Sequence, residues 1–252
     1  MDWLGLTGSI SLFIYKNRIE SKELVFLISF QAMKNKIHIY FMPGLGASSR
    51  IFEYINLPQE SFECHYLEWI TPDSNNETLE SYSQKYASLI KFSDVVLIGV
   101  SFGGILVQEI SKLISVKHLI IISSVKSNSE MPKRLKLLKY TQAYKIIPTK
   151  RLSQIDNFSK YDFHPVIKKK GELYDKYMSV RNEIYLNWAI HNVLHWNNQD
   201  METKVIHIHG TKDEIFPIKH ISNCIPIEGG THAMIITKAK KIGKIIENLL
   251  LQ

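Results

Sequence analysis

The feature that most constrains this chain is a serine bracketed by glycines, Gly99-Val100-Ser101-Phe102-Gly103-Gly104. The apolar run Val95-Val96-Leu97-Ile98 precedes it, and the helix-like stretch Ile105-Leu106-Val107-Gln108-Glu109-Ile110 follows it. A G-x-S-x-G element between a strand and a helix demands a sharp turn that lifts the serine hydroxyl clear of a sheet. Gly99 and Gly103 are expected to relieve backbone crowding around that turn. The helix that starts there directs unpaired N–H groups and the positive end of its dipole at the same point. A nucleophile with backbone donors beside it suits acyl transfer. The bland reading of these residues is a tight glycine-rich turn, which the flanking strand and helix patterns disfavour.

A serine hydroxyl needs a base at neutral pH, and the base needs an orienting carboxylate. With the nucleophile on a turn of this kind, the acid follows the serine along the chain and the histidine follows the acid. Val205-Ile206-His207-Ile208-His209 reads as a strand, and Gly210-Thr211-Lys212-Asp213-Glu214 as the loop at its end. Asp213 is assigned as the orienting acid, with Glu214 as its alternative. Gly229-Gly230-Thr231-His232 then precedes the apolar-periodic stretch from Ala233 to Leu251, and His232 is assigned as the base. His220 also follows the acid, but Pro217-Ile218-Lys219-His220 reads as the start of a helix, where a histidine is ordinarily a surface residue.

These three segments, with the Pro43-Gly44 loop, resemble the α/β-hydrolase superfamily over about Lys36 to the C-terminus, most nearly its small bacterial hydrolases with a short N-terminal part. The resemblance implies one oxyanion donor on the residue after the nucleophile, the N–H of Phe102. A second comes from the loop after the strand Ile37–Met42; by position it is Leu45, with Gly46 as the alternative. Many relatives carry His-Gly where this chain has Pro43-Gly44. The resemblance also implies that the helical insertion at about 124–200 is a cap over the site. On this reading Ser101 attacks an ester, thioester or related carbonyl of a small-molecule substrate, and no cofactor is required.

Rival readings are a non-catalytic small-ligand-binding protein on the same fold, and C–C hydrolysis or acyl transfer with the same triad. A dinucleotide fingerprint at Gly44-Leu45-Gly46 lacks its third glycine and an acid clearly placed after the next strand, although Glu68 is close.

The chain's 252 residues suffice for one large α/β domain, expected over residues 33–252. Strand candidates at Ile37–Met42, Phe62–Leu67, Val95–Ile98, His118–Ile122, Val205–His209 and Asn223–Ile227 alternate with helical patterns at Ser48–Tyr54, Leu79–Lys91, Phe102–Ser115 and Met234–Leu250. That alternation predicts a mostly parallel sheet with helices on both faces. Residues 1–32 read as an extension or a loosely attached hairpin (Ser9–Tyr15 with Glu23–Phe30), and Met33 is an alternative start. Their apolar stretch is too short and broken to span a bilayer, and Asp2 replaces the basic start of a signal peptide.

The net charge is +7. Between Ser124 and Asp200, 14 Lys and Arg face 7 Asp and Glu, so this segment carries a surplus equal to the whole. Such runs are ordinarily solvated surface; read functionally, they favour an anionic substrate. No motif accompanies the charge that would indicate nucleic-acid binding. Ten aromatic residues of the insertion, Tyr140, Tyr144, Phe158, Tyr161, Phe163, Tyr174, Tyr177, Tyr185, Trp188 and Trp196, either line a pocket for an apolar acyl group or hold the cap to the core. The pairs His191/His195 and His207/His209 lack an obvious third ligand, so no metal is expected. Cys64 and Cys224 read as buried free thiols of a reducing compartment, which makes a cytoplasmic location the expectation.

Overall fold

Apolar runs rich in β-branched residues build one six-stranded sheet in the computed structural model, which describes residues 36–147, 149–150, 175–198 and 204–252. The strands are β1 (Ile37–Met42), β2 (Phe62–Tyr66), β3 (Val95–Val100), β4 (Val116–Ile122), β5 (Val205–Gly210) and β6 (Ile225–Ile227), in the order β2-β1-β3-β4-β5-β6. The pairs β1–β3, β3–β4, β4–β5 and β5–β6 are all parallel. β3 is buried along its whole length, as a parallel strand covered on both faces must be.

The helices are α1 (Leu79–Leu89), α2 (Phe102–Ile110), α3 (Lys133–Thr141), α4 (Glu183–His195), α5 (Met234–Thr237) and α6 (Ala239–Leu250). Side chains cap two of them: Thr78 accepts from the Ser81 N–H before α1, and Asn182 from the Tyr185 N–H before α4. In α6 the buried residues Ile242, Ile246 and Leu250 recur every fourth position and form its core face. The alternation predicted from the sequence is present, with local differences. The stretch at Ser48–Tyr54 is a single 3-10 turn, Ser49–Phe52. The helix after Ser101 ends at Ile110, short of Ser115, and the C-terminal helix breaks at Lys238 into α5 and α6. β6 begins at Ile225, so Cys224 lies just outside it.

The chain divides into two compact units, Met1–Ile37 with Pro58–Glu63, and His38–Leu57 with Cys64–Gln252. Within the first, the N–H groups of Ser61 and Phe62 both donate to the carbonyl of Pro58, at 3.1 and 3.0 Å. The second holds Ser101, Asp213 and His232. The expectations for residues 1–32, and for Phe158, Tyr161, Phe163 and Tyr174, lie outside the described residues.

The buried side of α2 is pressed to backbone distance against the sheet. A Cβ on Gly103 would stand 2.3 Å from the Pro43 carbonyl oxygen and 2.5 Å from that of Met42; a Cβ on Gly99 would stand 2.3 Å from the Gly103 carbonyl oxygen. The obstructing atoms are main chain, so a methyl group has nowhere to go. Gly103→Ala is expected to lower stability by about 2–3 kcal/mol or to prevent folding, through overpacking; urea denaturation of wild type and variant measures it.

Candidate active site

Ser101 lies between the end of β3 and the start of α2 with φ 52° and ψ −118°, a backbone conformation costly for a residue with a side chain. Several bonds hold it there. Its N–H donates to the carbonyl of Ile122 (2.9 Å), and its own carbonyl accepts from the Gly104 N–H (2.9 Å) and the Ser124 hydroxyl (2.7 Å). Its side chain makes no capping bond to α2 and faces His232, whose Nε2 lies 2.9 Å from Ser101 Oγ.

The other face of the His232 ring system meets Asp213: Nδ1 lies 2.9 Å from Oδ2 and 3.1 Å from Oδ1. Asp213 is buried in the loop after β5, where its Oδ1 also accepts from the N–H groups of Ile215 (2.8 Å) and Phe216 (2.9 Å). Burial alone would raise its pKa. The His232 hydrogen bond, the charge on that ring and the Phe216 N–H outweigh burial and hold the carboxyl below its usual value of 3.8. Of the alternatives, Glu214 is exposed, and His220 closes the 3-10 turn Ile218–His220. The structure therefore brings together Ser101, His232 and Asp213, the three residues assigned from the sequence.

Two further histidines brace the acid from behind, a role that checking them only for metal ligation missed. His209 Nε2 lies 2.8 Å from the Phe216 carbonyl oxygen and 3.7 Å from Asp213 Oδ2, so it carries the proton and donates. Its Nδ1 is then the acceptor for His207 Nε2 at 3.0 Å. Burial lowers the pKa of both rings, that of His207 to about 2 with help from the charges of His209 and Lys126. His207 Nδ1 is buried and finds no hydrogen-bond partner among the described residues. The signal was in the sequence as i, i+2 spacing on one strand face, but nothing there showed that the face was dry.

Opposite His232, the loop after β1 approaches the serine. Gly44 lies so near that a Cβ on it would be 3.4 Å from that of Ser101. Two aromatic side chains pin this loop. Trp69 Nε1 donates to the Gly44 carbonyl (2.8 Å), and the Gly46 N–H donates to the Tyr185 hydroxyl (3.1 Å). The Gly46 N–H is thus already engaged. Trp69 also stacks on Phe102, with centroids 5.0 Å apart and planes 8° from parallel.

A cavity of about 660 Å³ opens beside Ser101 and His232. The loop after β1 contributes Leu45 and Ala47, α3 contributes Leu135 and Leu138, and α4 contributes Ile190, Val193 and Leu194. The described lining contains no Lys, Arg, Asp or Glu. The described cations of residues 124–200 therefore do not line this cavity. Trp188 and Trp196 do not line it either. Trp188 is buried against Tyr82 (4.1 Å between centroids) and donates to the Glu77 carbonyl (2.7 Å), while Trp196 donates to the Glu109 carboxylate (2.7 Å). Both fasten α4 and its C-terminal end to the residues before α1 and to α2. His191 shares a 3.0 Å hydrogen bond with the Tyr144 hydroxyl and stacks on His195. Cys64 and Cys224 are free, half-buried thiols whose pKa values burial raises.

No protein-family model and no curated protein matches the chain. Solved structures do. An epoxide hydrolase from Bacillus megaterium is similar with a TM-score of 0.64 and 15% identity over 86% of this chain and 94% of that one. A bromoperoxidase from Bacillus anthracis is similar at 0.62, with 15% identity over 86% and 92%. A structure reported with the carboxylesterases of the thaumarchaeon Nitrososphaera gargenis is similar at 0.60, with 17% identity over 86% and 90%.

The His207–His209 pair has a consequence for stability. The folded protein keeps His207 uncharged to about pH 2, whereas the unfolded chain takes up a proton near 6.5. The unfolded state therefore binds more protons as pH falls through that window, and stability is lost below pH 6.5. The expected slope from this group is about 1.4 kcal/mol per pH unit. Urea unfolding across the acid range should show that slope, reduced by this amount in His207→Gln.

Proposed function

From the α/β-hydrolase fold that this chain shares with those structures, we propose that it is a serine hydrolase that cleaves an ester, thioester or related carbonyl through an acyl-enzyme. The observation that carries this reading is the continuous line from Ser101 Oγ through His232 to the buried Asp213, with hydrogen-bond distances of 2.9 Å on each side of the ring. In this mechanism His232 accepts the Ser101 proton as the hydroxyl attacks the carbonyl carbon. Asp213 fixes the tautomer that leaves Nε2 free and stabilises the imidazolium that forms. The N–H groups of Phe102 and Leu45 receive the oxyanion. His232 then returns its proton to the leaving group, and water, activated by the same ring, releases the acid.

The cavity supports a substrate class. Moving a carboxylate into an apolar pocket with no paired cation costs several kcal/mol, so the cavity favours an uncharged apolar acyl group over the anionic one that the cap charge suggested. A binding protein on the same fold has no use for a strained serine hydrogen-bonded to an oriented histidine, and the serine suits acyl transfer in particular.

Intact mass after fluorophosphonate treatment tests the reading. Wild type should gain one adduct, Ser101→Ala none, and His232→Ala should label at least about a hundredfold more slowly. A folded wild type that does not label removes the hydrolase reading. Among p-nitrophenyl esters, kcat/KM for a hexanoate should exceed that for the corresponding anionic succinate by at least about a hundredfold, the equivalent of about 3 kcal/mol.

A further inference from the structure

The cap segment 131–147 has two faces of opposite purpose. Inward, Leu135, Leu138, Tyr144 and Ile147 line the cavity beside Ser101. Outward, Leu137 is 60% exposed, Tyr140 87% and Ile146 84%. Leu137 and Tyr140 are three residues apart and share one side of α3, and Ile146 follows in the turn after it. No residue of α3 is fully buried, so this helix lies on the surface. Three large apolar side chains this exposed within one ten-residue stretch mark an interaction surface.

The charge around them selects the partner. Lys133, Arg134, Lys136, Lys139 and Lys145 lie in the same segment, which contains no Asp or Glu. Glu130, just before it, is buried and spent on the Ser222 N–H and hydroxyl (3.0 and 2.8 Å) and on Lys126 (3.6 Å). Glu214, exposed on the neighbouring loop, sits with Arg134 and Lys212 around one shallow pocket. Exposed apolar side chains in a segment whose charged residues are all cations match the boundary between anionic headgroups and acyl chains. A second copy of this surface would bring like charges face to face. Nucleic acid would leave Leu137 and Ile146 without a purpose.

We propose that this cap surface docks on anionic lipid membranes, with Leu137, Tyr140 and Ile146 entering the interface and the lysines facing the headgroups. The same short segment then carries the membrane contact on one side and the cavity wall on the other. Ile215, which lines the cavity and is 44% exposed, lies at its rim. Docking does not rest on the hydrolase reading, and its test does not require turnover.

The test is sedimentation of the full chain with phosphatidylcholine vesicles and with vesicles of phosphatidylcholine and phosphatidylglycerol. Wild type and Ser101→Ala should both partition at least about tenfold more strongly onto the anionic vesicles, and added salt should weaken that preference. Leu137→Ser/Tyr140→Ser/Ile146→Ser should lose most of the binding to anionic vesicles. Lys133→Gln/Lys136→Gln/Lys139→Gln should fall to the level seen on phosphatidylcholine. Circular dichroism of both variants should match wild type, since every changed side chain is exposed or half-buried. Failure of wild type to bind either vesicle, or equal binding by wild type and both variants, overturns the proposal; the first outcome points to an acidic protein partner. Loss of fluorophosphonate labelling with vesicle binding intact would instead remove the hydrolase reading alone.

Discussion

The close approach of α2 to the sheet governs the geometry of this site. Gly103 lies against the carbonyls of Met42 and Pro43, and Gly99 against that of Gly103, at separations that leave no room for a Cβ. This contact sets the angle at which the chain leaves β3 and enters the helix, and so forces Ser101 to a positive φ. The strain is localised and held by main-chain bonds from both sides. The same approach puts the N-terminus of α2 and the loop after β1 within reach of one point in space, so serine and backbone donors are presented together.

Asp213 adds the electrostatic half. A buried carboxylate is costly unless its lone pairs are filled. Here two main-chain N–H groups and His232 fill them, and the uncharged His207–His209 pair occupies the space behind. The carboxylate stays ionised because these bonds outweigh burial. Its remaining charge is directed at one ring, whose other nitrogen meets the serine. The apolar cavity that this ring lines and the cation-rich segment 131–147 are then separate features. The first bears on what reaches Ser101, and the second on what the protein meets in solution.

Much of the central architecture was legible in the primary structure because it follows local rules. Alternating apolar runs and helical periodicities announced a parallel sheet, and the strand–turn–helix context of Ser101 announced the elbow. Asp213 and His232 could be assigned because each follows a strand candidate in the required order. Element ends were less legible: α2 stops at Ile110 and the last helix breaks at Lys238. The engagement of the Gly46 N–H was beyond local rules altogether. It turns on the hydroxyl of Tyr185, 139 residues further along the chain, which engages the Gly46 N–H.

The aromatic and basic residues between Ser124 and Asp200 mark the boundary most clearly. Composition shows that Trp188, Trp196 and the lysines are present, but not which way they point. The fold buries the tryptophans as fastenings, lines the cavity with Leu135, Leu138, Ile190, Val193 and Leu194, and leaves Leu137, Tyr140 and Ile146 exposed. Sequence alone determined the strand–helix alternation, the chemical identity of the three residues and their order, because periodicity and turn chemistry act over a few residues. Tertiary structure decided which groups lost their water, which N–H of the loop after β1 was engaged and which side of α3 met solvent, because burial is a property of neighbours brought together from distant parts of the chain.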